Sequence, residues 1–131
     1  KIRNTYENTI VCNDWHRFSN FKYWMENQDW EGKDLDKDIL GDGDLYSPET
    51  CCFVPEAVNN FLLSYSSDKY TGVTHYGNRF YARHAGVNIG SFLTFDCARS
   101  SYIKHRNNRA LEIAETLEGD VKVKFLEKCI V

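Results

Sequence analysis

Hydrophobic and polar positions change period several times along this chain, and each change marks an element. Val11–Asn27 carries Trp15, Phe18, Phe21, Tyr23, Trp24 and Met25. These include the i, i+3, i+6 spacing of one helical face. An aromatic core helix is expected here, with Asn13 or Ser19 as its start cap. From Asp34 to Val54 the helical period fades. Gly41-Asp42-Gly43-Asp44 is a turn signal, because Gly and Asp tolerate positive φ and Asp bonds its own backbone. It separates Leu35–Leu40 from Leu45–Val54 and predicts a hairpin. Pro55–Leu63 then reads as a helix, with Pro55 in a first turn that needs no N–H. Hairpin followed by helix makes a ββα unit, and Ser64–Asp68 is the best linker candidate.

Beyond the linker come Tyr70–His75, Arg79–Ala85 and Val87–Phe92, short segments parted by turns at Tyr76-Gly77-Asn78 and Ala85-Gly86. Thr94 is placed to cap a long helix reaching about Leu117, with Asp96 in the favourable first turn. Ala98, Tyr102, Ala110, Leu111, Ala114 and Leu117 supply its apolar stripe. Val121, Val123 and Phe125 alternate, which points to a final strand across Val121–Ile130. The expected fold class is α+β. Residues 1–67 form a ββα unit; residues 68–131 form a three-stranded antiparallel sheet packed on one long helix, with a C-terminal extension.

Composition narrows the function classes. With 131 residues and 42% hydrophobic content the chain can bury one core or two small ones. No apolar run approaches the roughly 20 residues of a membrane span. KIRNTYENTI has a basic start but no apolar core, so it is not a signal peptide. A start on Lys1 instead of Met suggests processing, trimming or a missing upstream segment. Five cysteines, with no Cys-x-x-Cys pair and with Cys51 and Cys52 adjacent, argue against a zinc ribbon. Reduced, mostly buried thiols and a cytoplasmic location are expected.

Net charge is −3 and unevenly spread. Residues 1–67 hold 6 Lys/Arg against 12 Asp/Glu, residues 68–117 hold 7 against 4, and the last fourteen hold 3 of each. An acidic front and a basic back suggest two units with different tasks, and only the second is suited to phosphates. Strand alternation agrees. If Val73, Phe80, Ala82, Ile89 and Phe92 face the helix, then Thr74, Tyr76, Arg79, Tyr81, Arg83 and Asn88 share much of the other face. Arg pairs with guanine and Asn with adenine, so that face is chemically able to read DNA. His75 and His84 are expected on the sheet surface. Lys104, His105, Arg106 and Arg109, on the long helix, are either phosphate contacts or solvated charges.

Motifs in the front half carry a resemblance. Tyr6, Val11-Cys12, Trp15, Phe18, Phe21, Trp24, Leu35-Asp36-Lys37-Asp38, Tyr46-Ser47-Pro48-Glu49-Thr50-Cys51 and Asn59 stand in the order found in phage-type HNH endonucleases, across about residues 6–63. The resemblance implies a ββα-metal nuclease. Asp36 and Asn59 would hold Mg²⁺ or Mn²⁺, and Lys37 and Asp38 would stand at the catalytic positions. Lys37 stands where better-known members carry the general-base histidine, and a protonated lysine cannot accept a proton. Asp38 or His16 would then be the substitute base. Thr50 replaces the asparagine that braces the hairpin, and the family's upstream Trp–Met–Arg-Cys segment is absent. Residues 69–117 resemble the plant ethylene-response-factor (APETALA-two type) DNA-binding domain, through Gly72-Val73, Ala82, Ile89-Gly90-Ser91-Phe92 and a Thr-capped helix. Two readings follow: an HNH-like DNA endonuclease that binds duplex DNA through its sheet, or a catalytically inactive relative that binds DNA or a host protein.

Overall fold

The computed structural model describes residues 9–63 and 70–130. The expected linker at Ser64–Asp68 lies outside them. The α+β class holds, with helices in both halves and an antiparallel three-stranded sheet. None of the described helices is long and apolar enough to cross a membrane.

Strand β1 (Ile10–Val11) leads into a 3₁₀ turn (Asn13–His16) and then helix α1 (Phe18–Glu26). The expected single helix is broken because Arg17, between the two, is extended. Neither Asn13 nor Ser19 caps α1. Arg17 holds the cap position without a side-chain bond, while Asn13 lies in the 3₁₀ turn and Ser19 inside α1. The aromatic face still forms a core. Buried Trp15 meets Phe21 edge-on at 4.9 Å and Trp24 at 4.8 Å. Trp24 stacks on Phe53 at 5.7 Å, which joins α1 to the next unit.

The hairpin is shorter than expected. Strand β2 (Asp34–Asp36) pairs antiparallel with β4 (Cys52–Val54), while β3 (Leu45–Tyr46) leaves to pair in parallel with β1. The cause is local. Asp36 Oδ2 accepts the backbone N–H of Asp38 at 2.9 Å and of Ile39 at 2.8 Å, which turns the chain out of the ladder. Helix α2 (Glu56–Leu63) follows Pro55, whose carbonyl accepts from Val58 and Asn59 N–H at 3.0 and 3.3 Å.

Strands β5 (Val73–Tyr76), β6 (Arg79–His84) and β7 (Val87–Phe92) form the antiparallel sheet in chain order. Helix α3 (Phe95–Ala114) is capped by Thr94, whose Oγ1 accepts Cys97 N–H at 3.2 Å. Its stripe departs from expectation at Leu111, which is exposed, while Arg106 and Ile113 are buried. The buried positions step by four from Ala98 through Tyr102 and Arg106 to Ala110, and Leu111 falls off that line.

The expected last strand is a helix, α4 (Gly119–Cys129). Phe125 and Cys129 are fully buried and Val121 packs beside them, whereas Val123 is exposed. A four-residue apolar step therefore outweighs the short alternation. Two cores result. Ala82, Ala98 and Tyr102, with Val73, Phe80, Ile89 and Phe92, join the sheet to the first half of α3. A larger core joins Ile39, Val54, Val58 and Phe61 to Ala110, Ile113, Leu117, Phe125 and Cys129. It draws on residues from both sides of position 67.

Candidate functional site

Asp36 ends β2 and is buried, with 2% of its surface exposed. Burial pushes its carboxyl above the usual aspartate range, against the lowering effect of the Ile39 and Asp38 N–H groups. Asn59, on α2, donates Nδ2 to Asp34 Oδ2 at 3.4 Å. Asp34 and Asp36 are two apart on one strand and share a face. Asp34 is not among the residues expected at the site, although its Asp34-Leu35-Asp36 alternation is visible in the sequence.

Lys37 and Asp38 are bound to each other, Nζ to Oδ1 at 3.0 Å. The Lys37 ammonium is nearly buried and lies 5.6 Å from the centre of the Tyr46 ring. His16 is exposed, and its Nε2 lies 3.0 Å from the Val11 carbonyl. Thr50 braces its own loop. Its Oγ1 donates to Leu45 O at 2.6 Å and accepts Ser47 N–H at 3.1 Å. One hydroxyl thus closes the 45–50 loop.

The donors at Asp36 and Asn59 are carboxylate and amide oxygens, which suit a hard divalent cation. Thiolate ligation does not fit. Burial, with the nearby Asp36 charge, pushes the Cys52 thiol up to about 12, and burial also raises Cys51. Among the described residues, no group of three or more His, Cys, Asp and Glu side chains converges on a metal position. A Mg²⁺ ion held by one or two protein groups would keep several waters.

The second candidate surface is the outer face of the sheet. Thr74 pairs with Tyr81, and Tyr81 with Ser91; Tyr76 pairs with Arg79, and Arg83 with Asn88. All six expected residues therefore reach one face. Residues 69–95 contain no Asp or Glu, so no carboxylate of the sheet offsets its arginines. Tyr76, Tyr81, Arg83 and Asn88 are exposed. Arg79 is held, with Nε on Ser91 Oγ and Nη2 on Ser91 O, both at 3.1 Å. Ser91 was missed because its role depends on cross-strand register.

Two expectations for the basic residues are corrected. His84 is not on the sheet surface. It is buried on the helix side, its Nδ1 lies 3.1 Å from His105 Nδ1, and its ring meets Phe61 and Tyr102 edge-on. Residues 80, 82 and 84 of β6 share the inner face, which the strand period dictates. Arg106 is neither a solvated charge nor a phosphate contact. It is buried, donates Nη1 to Cys129 O at 2.6 Å and covers the Phe61 ring at 4.8 Å. Arg109 is exposed and pairs with Glu112 at 3.2 Å, and Lys104 is exposed.

The histidine pair carries a pH prediction. Burial, then the charges of His105, Arg106 and Arg109, hold His84 below the usual histidine range. A base with a depressed folded pKa contributes stability that is present above its unfolded value, near 6.5, and lost as pH falls through the folded one. The unfolding midpoint is expected to drop on acidification below about pH 6.5. Replacing His84 with Phe should flatten that drop; thermal melts across pH 5–8 check it, and an unchanged slope would refute it.

The chain matches no family model, no curated protein and no solved structure.

Proposed function

We propose that the protein is an HNH-like DNA endonuclease of the phage type that grips duplex DNA with the outer face of β5–β7. The carrying observation is the gathering of Thr74, Tyr76, Arg79, Tyr81, Arg83 and Asn88 on one acid-free face. Arginine and asparagine on a twisted strand ribbon have the geometry and the donors for base edges and phosphates. Arg79, fixed by Ser91, is pre-ordered and loses less side-chain freedom on binding.

In this reading Asp36 and Asn59 hold Mg²⁺ or Mn²⁺, which supplies Lewis-acid activation at the scissile phosphate. The Asp36 turn aims its carboxylate by two backbone N–H bonds. Lys37, as an ammonium, can neutralise phosphate charge but takes no proton. Asp38, half exposed, is the neighbouring group able to accept one. A second reading, an HNH-derived protein that binds DNA or a host protein without cutting, is favoured by the Lys37–Asp38 pair at the base position.

A nicking assay on several duplexes with Mg²⁺ or Mn²⁺, run beside a binding assay, separates the two. Metal-dependent cleavage supports the nuclease, and duplex binding without cleavage supports the second reading. Arg83→Ala is expected to weaken duplex binding by about 1–3 kcal/mol, or roughly fivefold to 150-fold. Unchanged affinity would remove the sheet from the interface.

A further inference from the structure

The Asp36 loop already receives a cation from within the chain. Lys128, near the end of α4, donates Nζ to the carbonyl of Asp38 and to that of Gly41, the latter at 2.9 Å. The loop and α4 are ninety residues apart in sequence. With Asp38, Asn59, Leu62, Leu63 and Cys129, Lys128 lines a cleft of about 350 Å³ that contains the Asn59 side of the candidate site.

Lys128 is also held from behind. Cys129 and Phe125 are fully buried in the larger core. The Cys129 carbonyl takes the Arg106 guanidinium bond from α3. Lys128 is itself exposed, but its ammonium is delivered by an anchored helix end. Asp38 and Asn59 line the same cleft, and carbonyl, carboxylate and amide oxygens are what a hard divalent ion seeks. An ammonium donating to two such carbonyls competes for the same electron pairs.

We propose that Lys128 is an internal counter-cation of the Asp36–Asn59 site, which a divalent cation must displace from the Asp38 and Gly41 carbonyls in order to bind. The inference rests on the metal reading above and specifies how that site is regulated. Metal occupancy is then set by competition between a tethered monovalent charge and a free divalent one. The residue selected for this task lies outside the ββα unit.

The test is Mn²⁺ titration of the full chain, followed by electron paramagnetic resonance of free Mn²⁺. Wild type is compared with Lys128→Met and with Lys124→Met, which removes an exposed charge one turn earlier on α4. Lys128→Met should bind Mn²⁺ roughly tenfold more tightly, as removal of one nearby positive charge predicts, and Lys124→Met should match wild type. Equal or weaker binding by Lys128→Met, with wild type binding Mn²⁺, overturns the inference and leaves the metal reading intact. No Mn²⁺ binding by any of the three overturns both. A second measurement needs no variant: Mg²⁺ titrated into wild type should shift the Lys128 side-chain NH₃⁺ resonance and leave that of Lys124 in place. A stationary Lys128 signal under saturating Mg²⁺ rejects displacement.

Discussion

Gly72→Ala is expected to destabilise the protein by about 2–5 kcal/mol. Gly72 has φ of +87°, a region that costs an L-residue roughly 1–2 kcal/mol. An added Cβ would also overlap the Cδ1–Cε1 edge of the Tyr102 ring, and overpacking of that kind adds about 1–3 kcal/mol. The ring cannot easily retreat. Tyr102 is 5% exposed, belongs to the smaller core with Ala82 and Ala98, and has the Arg99 guanidinium 5.1 Å from its centre. Arg99 in turn donates to the Thr71 carbonyl, and Gly72 O accepts Arg83 N–H at 2.9 Å. The substitution therefore pushes the start of β5 away from α3 and disturbs the strand that presents Thr74. Urea unfolding measures the loss, and a cost below 1 kcal/mol would contradict the argument. Combining it with Tyr102→Leu should recover the overlap but not the backbone cost, which divides the two contributions.

The same segment shows what was legible in the sequence. Three strands between Tyr70 and Phe92 were readable, although β5 runs Val73–Tyr76 instead of Tyr70–His75, and so were the strand alternation and the Thr94 cap, because each depends on neighbours within a few residues. Asp36 was readable as a position but not as the residue that ends β2. Its carboxylate acts on its own backbone, and that turns an expected hairpin into two separate pairings. Alternation at Val121, Val123 and Phe125 misled because it spans too few residues to outweigh Val121, Phe125 and Cys129 at helical spacing. His84, Arg106 and Lys128 carry the least local signal. Each is a polar residue whose surroundings are made by a partner 21 or more residues away: His105, Cys129 and the Asp38–Gly41 loop. A basic residue reads as solvated until the fold shows what covers it. Thr50 is the converse case, a polar residue whose partners lie within five residues of it and whose hydroxyl closes the 45–50 loop.

Asp36 is where stability and reaction can be separated. Asp36→Ala removes the acceptor of the Asp38 and Ile39 N–H groups and should cost about 2–6 kcal/mol, at roughly 1–3 kcal/mol for each group left without a partner. Asp36→Asn keeps an acceptor oxygen and should fold nearly as well. Both should lose metal-dependent nicking, since an amide is a poorer ligand for a hard cation than a carboxylate. The pH dependence distinguishes them further. Burial raises the folded pKa of Asp36, so the fold prefers the protonated acid. That contribution is present below the unfolded value, near 3.9, and is lost as pH rises through the raised folded value. Metal-free wild type should lose this increment on going from about pH 4 upward, and the Asn variant should not. A bound divalent cation reverses the preference by stabilising the carboxylate, so Mn²⁺ should protect wild type increasingly as pH rises. At a hundred times Kd that protection is about 2.7 kcal/mol. Thermal melts of wild type and Asp36→Asn, with and without Mn²⁺ from pH 4 to 8, carry the comparison. If Mn²⁺ raises the Asn variant's midpoint as much as the wild type's, or if the variant still nicks DNA, then Asp36 is a structural turn residue and the cation lies elsewhere.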